Sequence, residues 1–237
     1  RAMQKYTAII LASRDIGEFD RIYIMYTLES GLVKAIGRGA RKSTAKLAGH
    51  LEPATLSEVY IARSRGMGNI ASAITIENFK NIKNNFEKLA SVLKIFKFFT
   101  RHFSEEEKDE KVFDLLSGFL EATDDADFAD RAEILFEAFW WKLFDFLGHR
   151  PETMKCAKCE ARLEEKGEKF FSAARGGVVC EKCFAGESNL AKISADQIKL
   201  IRIFLANSLG KILKVKIGED ELKGLGRIRR EFEKYNF

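Results

Sequence analysis

The spacing of apolar residues changes once along this chain, and that change constrains the fold more than any other feature. Alternation suits a pleated strand, whereas steps of three and four suit one face of a helix. Up to Ile76 the pattern is strand-like. Tyr6–Leu11, Arg21–Thr27, Leu32–Arg38, Leu56–Ala62 and Ile70–Ile76 are short β-rich runs, with glycine-bearing turns at Gly17, Gly31 and Gly66 to Gly68. Five such strands predict a small barrel or sandwich. A longer basic connection, Gly39 to Pro53, follows the third strand, and that is the layout of an OB-fold.

After Asn78 the period lengthens. Leu89, Val92, Leu93, Phe96, Phe99 and Phe103 predict one amphipathic helix, and Val112, Leu115, Leu116, Phe119 and Leu120 a shorter one. Phe128, Ala132, Leu135, Phe136, Phe139, Leu143 and Leu147 predict a third, ended by Gly148 and Pro151. Ser194 opens another helix with Asp196 in its first turn, and a last one spans Glu219 to Lys234, weakened by Gly224 and Gly226. The expected fold class is therefore α+β and multidomain. A five-stranded OB barrel over 1–79 precedes an α-helical domain over 80–237, with an inserted cysteine module at 152–187. Phenylalanine, at 20 residues, falls mostly at helical spacing and reads as core. The adjacent Trp140 and Trp141 cannot share a helix face. One is expected in the core, the other partly exposed or covered by a neighbouring element.

All four cysteines fall in one window as Cys156-x2-Cys159 and Cys180-x2-Cys183. Each CxxC folds as a tight knuckle with two sulfurs on one metal, and two knuckles supply the tetrahedral sulfur set that Zn²⁺ prefers. Lys155, Lys158 and Lys182 lie beside the sulfurs, and cations favour thiolate. Lys169–Ser172 and Gly176–Val179 read as a hairpin between the knuckles, so the module looks like a zinc ribbon with one structural Zn²⁺. Disulfides and a redox CxxC are the competing readings. The first is disfavoured by a reducing cytosol, and the second by two motifs better suited to one metal. Four cysteines leave no open position for a catalytic water. His149 reads as a helix-end residue.

Net charge is only +5, but the charge is segregated. From Lys34 to Arg65 seven cations (Lys34, Arg38, Arg41, Lys42, Lys46, Arg63, Arg65) face two anions, Glu52 and Glu58. From Ser104 to Glu137 there are 13 acidic residues against three basic ones. The tail turns basic again at Lys211, Lys214, Lys216, Arg227, Arg229 and Arg230. A basic patch suggests a polyanion, and an acidic stretch a solvated helix face or a basic partner. Lys34 and Arg38 share one strand face, the loop opens beside it, and Arg63 and Arg65 close the same groove if the barrel forms. Such a groove tracks phosphates. The bland reading is a solvated loop. Tyr23, Tyr26 and Tyr60 are the candidate stacking partners, each equally able to be core.

Catalytic motifs are missing. Neither GxxxxGK[ST] nor GxGxxG nor GxSxG occurs, three histidines make no triad, and no catalytic residue is expected. No apolar run approaches the roughly 20 residues needed to span a bilayer. Arg1 and Ala2 before Met3 look like a vector remnant, so Met3 is expected to be the native start and the protein cytosolic.

Three segments together resemble a known family: Arg14-Asp15-Ile16-Gly17-Glu18-Phe19-Asp20-Arg21, Gly31-Leu32-Val33-Lys34-Ala35-Ile36-Gly37-Arg38-Gly39-Ala40-Arg41, and Leu47-Ala48-Gly49-His50-Leu51-Glu52-Pro53. With the Arg65-Gly66-Met67-Gly68 turn, the chain resembles the RecO family of bacterial recombination mediators. The resemblance is specific over 5–79 and architectural beyond. It implies an OB-fold on a zinc-binding helical domain, and binding of single- and double-stranded DNA with annealing of complementary strands. It also implies partnership with RecR and single-strand-binding protein in loading RecA, at the nucleoid in the cytoplasm. Lys34, Arg38, Arg41 and Lys42 stand at matching motif positions. The runner-up is a zinc-ribbon and OB protein that binds structured RNA or serves as a scaffold.

Overall fold

A computed structural model describes residues 3–42, 47–62, 66–105, 107–126, 129–164, 166–185 and 189–237, with backbone alone at 129 and 130. The chain divides into two compact units, Arg1–Asp125 and Ala126–Phe237.

In the first unit β1 (Met3–Ile16), β2 (Asp20–Thr27), β3 (Gly31–Gly37), β4 (Leu56–Ala62) and β5 (Gly68–Glu77) close a barrel in the order β1-β2-β3-β5-β4. This is the OB-fold layout expected from the strand count and the long third connection. β1 is longer than its apolar centre because it serves two neighbours. Met3–Ile9 pairs with β4 and Ala8–Ile16 with β2, with an irregularity between Ile10 and Ala12. A bulge there bends one strand round the barrel corner. β3 and β5 run parallel and, among the described residues, pair at Ala35–Gly68 and Ile36–Asn69. Alternate side chains fill the interior: Tyr6, Ala8, Ile10, Tyr23, Met25, Val59 and Ile61, capped by Leu51 from the connection.

Gly31 is a position only glycine tolerates. Its φ is +66°, and an added Cβ would stand 2.2 Å from the Glu107 carbonyl oxygen. The close approach lets Glu105 bridge to Gly31 and Leu32 along the outer edge of β3.

Three helices complete this unit: α1 (Lys80–Lys83), α2 (Phe86–His102) and α3 (Glu110–Asp125). The Asn85 side chain accepts the Lys88 N–H at the start of α2, and Asp109 Oδ1 accepts the Lys111 and Val112 N–H groups at the start of α3. Such caps satisfy otherwise orphaned donors. Tyr26 points out of the barrel. Its ring meets Phe99 edge-on at 5.0 Å and Phe103 at 5.3 Å, so the helices bury it.

The second unit contains α4 (Ala129–Phe146), a sheet of β6 (Lys169–Ser172), β7 (Gly177–Cys180) and β8 (Leu190–Lys192) in the order β7-β6-β8, and α5 (Glu181–Phe184). It ends with α6 (Ala195–Ala206), α7 (Leu209–Ile212) and α8 (Glu219–Asn236). Phe128, expected to open α4, lies outside the described residues. Gly148, at φ +86°, ends α4 as predicted. The His149 N–H reaches the Phe144 carbonyl and the Gly148 N–H reaches that of Asp145, a Schellman closure that makes His149 a helix-end residue. Ser194 caps α6 in a box with Gln197.

Both tryptophans are buried. Trp141 is covered by neighbouring elements, stacking on Phe232 of α8 at 5.7 Å and meeting Phe171 of β6 edge-on at 5.8 Å. Gly224 and Gly226 do not break α8. A Cβ at Gly224 would stand 2.3 Å from Gln197 Nε2 and one at Gly226 3.1 Å from Glu137 Oε1, so the glycines let α8 settle on α6 and α4. Two residues of the charged runs are not on the surface. Glu137 of the acidic stretch and Arg229 of the basic tail are buried together, with Arg229 Nε 3.1 Å from both Glu137 oxygens and Nη1 2.6 Å from Glu233. The guanidinium also lies 5.3 Å from the ring centres of Phe136 and Trp140. Burial pushes the Glu137 carboxyl up, and Arg229 draws it back down.

Candidate metal centre and candidate nucleic-acid surface

The two CxxC knuckles are built differently. The first is a tight hairpin whose ends pair at Lys155 and Arg162, with the Glu160 N–H returning to the Cys156 carbonyl. Glu160 takes φ +61° to turn the chain. The second straddles the junction of β7 and α5, with Cys180 as the N-cap of the short helix that carries Cys183. The Ala157 N–H bonds to the Val178 carbonyl at 2.8 Å and sews the first knuckle to β7. The four sulfurs thus converge, all within 4.8 Å of one another. None is disulfide-bonded, and Cys159 Sγ lies 3.9 Å from Cys180 Sγ.

The donor set fits a thiophilic cation. Cys156 Sγ accepts N–H groups from Lys158 at 3.5 Å and Cys180 at 3.4 Å, the arrangement that stabilises a thiolate. Burial alone would push Cys156 up, but the backbone N–H groups of Cys159, then Cys180 and Lys158, outweigh it and hold the thiol at about 6. Sharing with the Cys159 thiol, and then burial, push Cys183 up to about 12. Four sulfurs in so small a space are arranged as a set that could hold one metal ion. The geometry does not distinguish one metal from another.

Of the predicted DNA-facing cations, the described Lys34, Arg38, Arg41 and Lys42 are on the surface of the barrel, but they are not bare. Arg38 Nη1 lies 2.6 Å from Asp20 Oδ2, its Nε donates to Asn69 at 3.1 Å, and the Gly39 N–H donates to the other Asp20 oxygen at 2.8 Å. Arg41 Nε is 3.2 Å from Asp15 Oδ2, and its Nη1 donates to the carbonyls of Gly17 and Glu18 at 3.2 and 3.0 Å. Arg21 holds the other Asp15 oxygen at 2.6 Å. Lys42 lies over the Phe19 ring at 5.4 Å, and Lys34 pairs with Glu105 at 3.1 Å. The motif from Arg14 to Arg21 is therefore a lock: its two aspartates clamp the β1–β2 turn to the start of the basic loop. The Arg21 partner holds Asp15 below the usual carboxylate range, and the Gly39 N–H, then Arg38, do the same for Asp20.

Three carboxylates in this surface, Asp15, Asp20 and Glu105, were legible as charges in the sequence but not as partners. They leave Arg38 with 65% of its side chain exposed, so its unused donors still face solvent. Lys46, Arg63 and Arg65 lie outside the described residues. Of the stacking candidates, Tyr23 and Tyr26 are buried. Tyr60 is partly exposed, with its hydroxyl 2.6 Å from Glu58. No helix of the described residues is long and apolar enough to cross a membrane.

Comparison with known proteins matches both parts of the chain. A family model described as recombination protein O N terminal matches residues 3–79, and one described as recombination protein O C terminal matches 83–236. DNA repair protein RecO of Dehalococcoides mccartyi is 32% identical over 222 residues, covering 93% of this chain and 85% of the relative. DNA repair protein RecO of Pelotomaculum thermopropionicum is 29% identical over 230 residues, covering 97% and 83%. That of Listeria monocytogenes is 26% identical over 210 residues, covering 89% and 80%. With the OB barrel, the helical part and the cysteine module all in the expected order, the chain belongs to the RecO family.

Proposed function

We propose that this protein is a non-catalytic DNA-repair and recombination mediator of the bacterial cytoplasm, acting at the nucleoid. It binds single- and double-stranded DNA and promotes annealing of complementary strands. With RecR, it helps load RecA onto DNA coated by single-strand-binding protein. Residues 1–79 form the DNA-binding domain, and Lys34, Arg38, Arg41, Lys42, Lys46, Arg63 and Arg65 supply its cations. The supporting observation is the clamped surface on the OB barrel. Asp15 and Asp20 fix Arg38 and Arg41 in place while leaving guanidinium donors open to phosphate. Exposed pairs of this kind hold weakly and yield to a competing polyanion. Annealing needs two strands neutralised and held close, which such a surface does without covalent chemistry.

The helical domain, 80–237, carries one structural Zn²⁺ on Cys156, Cys159, Cys180 and Cys183. The four thiolates would hold the ion, which would supply a cross-link between the two knuckles.

The test is binding to single-stranded DNA across a salt series, with strand annealing measured with and without single-strand-binding protein. Arg38→Ala with Arg41→Ala lowers affinity and flattens the salt dependence. Failure of the wild type to anneal under both conditions refutes the mediator reading.

A further inference from the structure

The four sulfurs of the cysteine module are not equally placed. Cys156 is 1% exposed, and its sulfur accepts the Lys158 and Cys180 N–H groups at 3.5 and 3.4 Å. Cys159, in the turn of the same knuckle, is exposed, and Cys180 and Cys183 are half-buried. A cleft of about 370 Å³ opens on these last three. Arg162, Lys166 and Lys182 stand on its walls, and Cys156 does not. A small solute in the cleft therefore meets Cys159, Cys180 and Cys183 before it meets Cys156.

Within that trio one close contact crosses from knuckle to knuckle, with Cys159 Sγ 3.9 Å from Cys180 Sγ. The backbones that carry the pair are tied by bonds that need no ion. The Cys156 N–H closes the first knuckle on the Ala161 carbonyl at 2.8 Å, and the Ala157 N–H holds it to β7. Cys180 ends β7 opposite Lys169 of β6. Phe184 of α5 stacks on Phe170 of β6 at 4.1 Å and keeps the second knuckle on the sheet. A disulfide needs its sulfurs about 2 Å apart, so the remaining approach falls to rotation of the two side chains.

We propose that Cys159 and Cys180 form a peroxide-reactive pair, which converts the metal site into a reversible covalent cross-link between the two knuckles. The exposed Cys159 thiolate attacks the O–O bond of hydrogen peroxide, so that an S–O bond forms and hydroxide leaves. The Cys180 thiolate then attacks that sulfur, an S–S bond forms, and the second oxygen leaves as hydroxide. The two sulfurs lose two electrons, the peroxide gains them, and two protons from solvent complete two waters. An ion held by four sulfurs thereby loses two ligands and is released, while Cys156 and Cys183 stay reduced. Cytosolic disulfides are usually transient and redox-sensing, and a dithiol reverses this one. The inference rests on the zinc reading given above.

The test uses the full-length wild-type protein, loaded with Zn²⁺ and treated with hydrogen peroxide in the absence of other thiols. Released zinc is read with a chromogenic chelator, free thiols are counted, and the unreduced protein is mapped by mass spectrometry. Trypsin cleaves after Lys155, Lys158, Arg162, Arg175, Lys182 and Lys192, so each cysteine falls in a peptide of its own. The expected result is loss of one zinc and two thiols, with the Cys159 and Cys180 peptides joined. Dithiothreitol with Zn²⁺ then restores both. Linkage of Cys159 to Cys156 or to Cys183, sulfinic acids without a disulfide, or retention of zinc with four free thiols overturns the proposal. If the protein takes up no Zn²⁺, the zinc reading fails, and the linkage mapped in the reduced, metal-free protein still decides whether Cys159 and Cys180 are the reactive pair.

Discussion

Replacing Gly31 with alanine separates a steric contact from a conformational preference. Gly17 and Gly31 both occupy left-handed backbone, at φ +58° and +66°. A non-glycine residue there costs about 1–2 kcal/mol in either place. They differ in surroundings. A Cβ at Gly17 meets nothing within 4 Å, whereas one at Gly31 meets the Glu107 carbonyl oxygen at 2.2 Å. Relief needs the segment carrying Glu105 and Glu107 to move by nearly an ångström, which breaks its bridges to Gly31 and Leu32. Two backbone hydrogen bonds at about 1 kcal/mol each join the conformational cost. Gly31→Ala is thus expected to destabilise the barrel by about 3–4 kcal/mol and Gly17→Ala by about 1–2. Amide hydrogen exchange in β2 and β3 reads this directly, as acceleration by roughly a hundredfold or more for Gly31→Ala and about tenfold for Gly17→Ala. Equal effects at the two positions would falsify the steric argument.

Removal of the proposed zinc with a chelator, or Cys156→Ser, is expected to loosen the Ala126–Phe237 unit first. Phe171 of β6 lies against Trp141, so tryptophan emission should shift to the red, and an unshifted spectrum at full metal loss would refute the coupling. Glu137→Leu strands Arg229 with only the partly exposed Glu233, for a loss of about 3 kcal/mol in urea unfolding, whereas Glu137→Leu with Arg229→Met restores most of it. Additive losses in that pair would refute the buried-pair account. Asp15 and Asp20 are held below their ordinary value of 3.8. Their contribution is therefore complete above about pH 4 and lost as pH falls through their lower folded values. Acid titration followed by NMR at Arg38 and Arg41 should show the clamp opening only below pH 3.8; opening near neutrality would contradict it.

Much of the fold was readable because periodicity reports on burial. β4 ran from Leu56 to Ala62 as expected, since its side chains alternate strictly between inside and outside. β1 was read too short. Its first residues, Met3, Gln4 and Lys5, are exposed, and what makes them strand is pairing with β4, more than 40 residues away. β8 has three residues and depends on β6 for its existence. The sulfur cluster was legible because CxxC spacing is local, and its convergence follows from two short knuckles sewn together. The barrel cations were legible only as charges. That Asp15 and Asp20 answer Arg41 and Arg38 is a matter of which turns the barrel brings together, and no local pattern carries it. Gly224 and Gly226 looked like helix breakers because propensity alone ignores what packs against them. Arg229 looked like one more surface cation for the same reason.

The Glu137–Arg229 pair joins residues 92 positions apart, and its arginine belongs to the last helix, of 18 residues. During synthesis the barrel is complete long before α8 leaves the ribosome. Until then the Glu137 carboxylate has no guanidinium to meet, and Phe136, Trp140 and Trp141 lack the surface that covers them. A chain released early is left with a sticky aromatic face and a charge that must stay hydrated. Such products suit chaperones and proteases as targets. The pair thus makes the packing of α4 wait for α8, and a frameshift ahead of α8 that spares every barrel cation should still deplete the protein from the cell.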